Sequence, residues 1–172
     1  NAWKKDDAAH AKEMLFEIPV TNTNDWNDRE GIAYLYAENR PDVPGYGEAV
    51  ANKNFLALLA QDPNDVRADV FLAPSNDTKN IFHGAKVYLN KMPAYNGDPR
   101  YASVPILRLS EVYLIASEAA FKDGNTAKAV QYLNDLLKNR TSDTSRLVTA
   151  STITAARISL ERRKEPVGEG QR

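Results

Sequence analysis

The residues able to do chemistry are few, and most sit where chemistry is hard to support. Asp25, Asp28 and Glu30 cluster in the run TNTNDWNDREG. Glycoside hydrolysis needs two carboxyl groups about 5 to 9 Å apart, one of them with a raised pKa. This run is instead dense in Asn, Asp and Thr, whose side chains bond their own backbone and favour turns, so the cluster reads as a solvated turn. Calcium-loop spacing fails at its fifth position in both DPNDVR and DWNDRE. His10 and His83 are the only histidines, and neither belongs to an H-E-x-x-H run. There is no G-x-S-x-G elbow, no phosphate-binding P-loop and no G-x-G-x-x-G. The chain has no cysteine, which removes disulfides, thiolate metal sites and cysteine nucleophiles. No catalytic residue, cofactor-binding residue or metal ligand is assigned.

Aromatic side chains in polar, turn-rich sequence offer a different chemistry. Trp26, Tyr34, Tyr36, Tyr46, Tyr95 and Tyr101 all lie in such surroundings. A flat ring on a loop is a platform for the apolar face of a sugar, with polar neighbours to bond its hydroxyls. Trp26 is flanked by Asn24, Asp25, Asn27 and Asp28, a mixture of stacker and hydrogen-bonding partners. The candidate glycan-binding residues are Trp26, Asn24, Asp28, Tyr46 and Tyr95. The competing reading is that these rings plug loop bases against the core, because large aromatics are buried on average. Tyr88, Tyr113 and Tyr132 fall on strand or helix stripes and read as core.

Two kinds of sequence must position these residues. Residues 1–105 are loop-rich, with short strands and helices. The opening dozen residues read as a helix end that Trp3 could anchor, and MLFEIPV (14–20) as a short, mostly buried strand. IAYLYA is expected to be a strand, KNFLALLAQ a helix capped by Asn52, RADVFLA (67–73) and AKVYLNK (85–91) strands, and MPAYNGDPRYASVP a loop. From residue 106 the period becomes helical. Leu109, Val112, Tyr113, Ala116, Ala119 and Ala120 form one stripe. Gly124 then stops the helix and Asn125 starts the next, whose stripe is Ala129, Val130, Leu133, Leu136 and Leu137. So short a link makes an antiparallel αα-hairpin, with Ala116 and Ala120 facing Ala129. It has the length of one tetratricopeptide-type unit of about 34 residues. A third helix carries Ile153, Ala156, Ile158 and Leu160 and ends at Pro166. Its Arg157, Glu161 and Glu165 stand four apart and read as a solvated face, whereas Glu169 and Arg172, past the helix, would suit a buried structural pair.

Composition bounds the rest. With 172 residues the chain is expected to bury roughly 70% of its extended surface, if it is a complete domain. Hydrophobic residues make up 42% and charged residues 26%, which excludes disordered and collagen-like classes. Lys and Arg number 22 against 23 Asp and Glu, a net charge of −1, so no field steers a polyanion and nucleic acid is not an expected partner. No run of 18 apolar residues exists, and the first residues lack the apolar core of a signal peptide. The start without Met and the abrupt end read as a fragment.

Two signatures carry a resemblance. PILRLSEVYLIASEAAFKDGNTAKAVQYLNDLLKNR holds Arg108, Leu109, Glu111, Tyr113, Glu118, Ala119, Gly124, Asn125, Ala129, Leu133 and Asn134 in the pattern R-L-x-E-x-Y-L-I-x-x-E-A, a Gly-Asn turn, A-x-x-x-L-N and a closing basic residue. E-R-x-x-E-x-x-x-E-G-x-R follows as Glu161, Arg162, Glu165, Glu169, Gly170 and Arg172. Residues 104–172 thereby resemble the SusD/RagB family of outer-membrane nutrient-uptake lipoproteins of Bacteroidetes, with looser matches at FEIP, GYGE and DPNDVRADVF. The resemblance is to the C-terminal half and implies a mainly α, SusD-like fold: a tetratricopeptide-type hairpin (with the third helix, residues 106–172) continuous with a loop-rich part (1–105) holding a few short strands. It implies a non-catalytic cell-surface binder that captures oligosaccharide, or in some members peptide, for a SusC-like TonB-dependent transporter. Membrane contact would be through an N-terminal lipid anchor absent from this chain. Ligand residues sit in variable loops in that family, so Glu161 to Arg172 are expected to be structural. A peptide- or protein-binding helical module without glycan affinity is the alternative.

Overall fold

A computed structural model of the chain describes residues 8–21, 31–38, 45–47, 49–72, 86–92, 94–95 and 98–170. Among them, α1 (Ala8–Glu13) runs directly into β1 (Met14–Ile18), followed by the short helices α2 (Ile32–Tyr36) and α3 (Lys53–Leu59). Four small strands come next: β2 (Phe71–Leu72), β3 (Tyr88–Leu89), β4 (Ala94–Tyr95) and β5 (Asp98–Ala102). β6 (Val104–Arg108) then leads without a break into α4 (Leu109–Lys122), α5 (Thr126–Leu137) and α6 (Ala155–Lys164). The strands form three separate antiparallel pairs, β1–β6, β2–β3 and β4–β5, so the fold is mainly α with β ribbons.

The hairpin forms as its turn chemistry dictates. Gly124 takes φ +76°, a left-handed value that only glycine adopts without cost, and the Asn125 side chain accepts the Lys128 N–H at 3.2 Å. α4 and α5 pack against each other and α6 packs on α4. Leu114, Ala129, Leu133, Leu136, Leu137, Val148, Ile153 and Ile158 make the core between them. Asn134 holds the α5–α6 connection by a reciprocal pair of 2.8 Å bonds to the Val148 N–H and carbonyl. A smaller core, Phe55, Leu56, Leu59, Phe71, Val87 and Leu89, sits under α3 and the β2–β3 ribbon.

Several expectations need correction. The buried face of α4 is Ser110, Leu114 and Ser117, while Val112 and Ile115 are exposed and Ala119 faces solvent. Of the expected stripe Tyr113 and Ala120 do pack against the core, but the buried centre is shifted to Leu114 and Ser117. Ser117 carries a hydroxyl yet is fully buried, because it donates to the Ala129 carbonyl at 2.9 Å and thereby makes the close helix approach assigned to Ala116. On α6, Ala156 is likewise exposed. Residues 32–36 are helical rather than a strand, since so short an apolar run does not reveal its period. Among the described residues of RADVFLA only Phe71 and Leu72 are strand. Residues Val66–Val70 form a 3₁₀ turn because the Asp65 carboxylate accepts the Arg67 N–H at 3.0 Å. The expected loop 92–105 contains the β4–β5 hairpin and the start of β6. β1 exists but is not buried: Leu15, Phe16 and Ile18 are each more than half exposed, because its only ladder partner among the described residues is β6.

Candidate functional site

α2, the turn 45–47 and the β4–β5 hairpin carry the predicted ligand residues that the structure describes. Tyr34 on α2 is buried, 7% exposed. Beside it Tyr46 remains 44% exposed, its ring edge-on to Tyr34 at 5.0 Å between centroids and 89° between planes. The backbone fixes this arrangement. The Tyr46 N–H donates to the Tyr34 carbonyl at 3.0 Å, and the Gly47 N–H to the Ala37 carbonyl at 2.8 Å. Gly45 permits it, since a Cβ there would lie 2.3 Å from the Ala37 carbonyl oxygen. One ring is thus locked as a base and the other is presented to solvent.

α2 packs on β5. On β5, Arg100 Nε donates to Asp98 at 2.9 and 3.0 Å and Nη2 donates at 2.5 Å. Asp98 also accepts the Arg100 backbone N–H at 3.0 Å. The bonded guanidinium holds the Asp98 carboxyl below the usual carboxylate range, outweighing a burial effect of opposite sign. Asp98 in turn raises the Arg100 pKa. The guanidinium carbon lies 5.8 Å from the centroid of Tyr101, within cation–π range. Tyr95 is the register partner of Asp98 across the hairpin. Tyr46 is thus tied to α2, and Tyr95 pairs in register with β5, on which α2 packs.

Asn24, Trp26 and Asp28, with the carboxylates Asp25 and Glu30, lie outside the described residues. Arg100 and Asp98 were not singled out from sequence. The signal available was the D-x-R spacing on a strand, which places both side chains on one face. Tyr34 is a base plug, as the competing reading of loop aromatics held. Tyr88 is buried as expected.

The C-terminal signature has a different role. Glu161 and Glu165, expected on a solvated face, are 1% and 3% exposed. Arg140 binds Glu165 with both Nε and Nη2, at 2.9 and 2.8 Å. Arg108 reaches Glu169 at 2.8 Å through Nε and again through Nη2, Glu13 at 2.7 Å and Glu165 at 3.2 Å. Arg67 clamps Asp65 at 2.7 and 2.8 Å and forms an ion pair with Glu161 at 2.8 Å. Buried Lys91 pairs with Glu169 and donates to the Glu165 carbonyl. Burial alone would raise the Glu165 pKa, but Arg140, Arg108 and Lys91 override it and hold that carboxylate well below its ordinary range. Burial dominates for Lys91, helped by the Arg108 charge, and lowers it to about 8. Arg162 bridges Glu111 and Glu118 of α4. These ion pairs tie α6 and the following turn to β6, α4, the turn after α5 and the turn at Asp65–Arg67. Glu169 is buried as foreseen, with Arg108 and Lys91 as its cations; Arg172 lies outside the described residues.

Among the described residues no group of His, Asp and Glu could hold a metal ion, and no helix is long and apolar enough to cross a membrane.

Comparison with known proteins places this geometry. Residues 72–172 match the SusD family. A SusD superfamily protein from Bacteroides thetaiotaomicron VPI-5482 is 40% identical with a TM-score of 0.79, over 92% of this chain and 36% of its own. A candidate sugar-binding protein from Bacteroides vulgatus ATCC 8482 is 35% identical with a TM-score of 0.82, over 100% of this chain and 35% of its own. A second SusD superfamily protein from that strain is 30% identical with a TM-score of 0.75, over 92% and 34%. The chain thus spans about a third of the length of the solved structures it matches. No curated protein matches it.

Proposed function

Because the chain belongs to the SusD family, we propose that it contributes to a glycan-binding surface and holds oligosaccharide without chemical change. The observation that carries this is the exposed Tyr46 ring, locked edge-on over buried Tyr34 of α2, the helix that packs on the strand carrying the partly exposed Asp98–Arg100 pair. A rigid ring supplies stacking area at little entropic cost, and a neighbouring carboxylate and guanidinium suit hydroxyl groups. A similar solved structure described as a candidate sugar-binding protein supports the same reading. Trp26, with Asn24 and Asp28, completes the proposed set from its composition, as does Tyr95 from its place opposite Asp98. In the longer protein this surface would act at the outer membrane, on a lipid-anchored protein that passes its ligand to a SusC-like TonB-dependent transporter.

The test is a glycan-array screen followed by calorimetry on any oligosaccharide bound. Tyr46→Ala and Trp26→Ala should each weaken binding by on the order of 1 kcal/mol, about fivefold. Unchanged affinity in both variants overturns the assignment, and release of reducing sugar overturns the non-catalytic reading. The exposed Val112 and Ile115 on α4 favour a second reading, a peptide- or protein-binding helical surface. Binding of that kind would survive both aromatic substitutions.

A further inference from the structure

We propose that the Asp98–Arg100 pair makes this surface selective for uncharged sugars over acidic ones. The inference rests on the glycan-binding reading of the same site and names the ligand class it admits.

An arginine beside a stacking ring is ordinarily the group that captures a carboxylate or sulfate, because its planar fork matches an oxyanion bidentately. Here the fork is already taken. Nε and Nη2 of Arg100 both point at Asp98, in three bonds of 2.5 to 3.0 Å. The pair is internally neutral and only partly exposed, 29% for Arg100 and 24% for Asp98. Both side chains leave one face of β5, and the backbone N–H of Arg100 adds a further bond that holds Asp98 in place. Among the described residues, Nη1 of Arg100 makes no hydrogen bond within the protein. What the pair offers a ligand is therefore N–H donors without net positive charge, next to a fixed negative oxygen. Sugar hydroxyl and ring oxygens can accept from those donors. An approaching uronate or sulfate finds the Arg100 fork already paired and lies close to the Asp98 carboxylate, an arrangement that disfavours like charge. Tyr46, held on Tyr34 of the helix that packs on β5, provides the neutral stacking surface.

The test uses matched pairs of oligosaccharides differing only in charge: each neutral glycan with its uronate or sulfated counterpart, and oligogalacturonate with its methyl ester. The chain should bind the neutral member of each pair in preference. Asp98→Asn exposes the Arg100 charge and should shift the acidic-to-neutral affinity ratio toward the acidic member by about fivefold or more, an advantage that fades with added salt. Asp98→Asn combined with Arg100→Gln removes both charges and should abolish that gain, which separates charge from any local rearrangement. Acidic glycans bound as well as neutral ones in a Tyr46-dependent manner would leave the glycan reading standing and overturn this inference. An unchanged ratio in Asp98→Asn overturns it also. If no glycan of either class binds, both the site reading and the inference fall.

Discussion

Single residues decide stability through charge. Glu165 sits between Arg140 and Arg108 and is 3% exposed. Glu165→Gln leaves Arg140 and Arg108 with only Glu13 and Glu169 to balance them, an excess of buried positive charge that should cost about 3 kcal/mol. For a chain of this size that is a fall in Tm of about 10 °C, measurable by calorimetry. The same residue sets an acid limit. Its carboxyl is depressed in the folded chain, so its stabilisation is fully present above the ordinary carboxylate pKa and is lost as pH falls below it. Lys91 has the opposite sign. At about 8 when folded against 10.5 normally, it sheds a proton that the unfolded chain still holds, so its own contribution grows as pH rises through that window. Denaturant titrations across pH should show stability falling steeply on the acid side, and Glu165→Gln should flatten that acid slope.

At the scale of elements, the turn after α6 is where the chain meets itself. Gly168 and Gly170 both take left-handed φ, +77° and +73°. They differ in surroundings: a Cβ on Gly168 would lie 2.1 Å from Leu89 Cδ2, whereas nothing lies within 4 Å of one on Gly170. Gly170→Ala should therefore cost only the backbone strain, about 1 kcal/mol. Gly168→Ala should cost that plus about 1 to 3 kcal/mol of overpacking in the core of Phe55, Phe71 and Leu89. Equal losses by urea denaturation would show that this turn does not seat on β3. The α4–α5 hairpin was legible because its signals are local: a glycine stop, an asparagine cap and an apolar stripe on α5. The phase of α4 was not, since Ser117 is polar by type and buried by a carbonyl that only α5 supplies. β4 and β5 were read as loop because the run MPAYNGDPRYASVP around them holds three prolines and one glycine, and their pairing is a matter of two short segments meeting.

For the molecule as a whole, the balance of surfaces is uneven. Phe16 faces Leu107 across the β1–β6 ribbon, and both are exposed, as are Val112 and Ile115 on the adjoining helix. Exposed apolar groups on this scale promote association. Phe16→Glu and Ile115→Lys should each reduce light scattering at high protein concentration while leaving stability within about 0.5 kcal/mol, since neither side chain is in a core. A large drop in Tm would show that these groups are packed in solution.

The sequence by itself determined the helical hairpin, the family resemblance and the absence of recognisable catalytic or metal motifs, because each depends on residue type and spacing along one segment. It marked Tyr46 and Tyr95 as candidate stackers, yet not the elements that hold them. Only the tertiary structure placed Tyr46 on Tyr34 and α2 on β5, and only it turned an apparently solvated run of glutamates into the buried partners of Arg67, Arg108 and Arg140. The reason is physical. A side chain's exposure and the charge it finally meets are set by segments distant in the chain, and a one-dimensional pattern records neither.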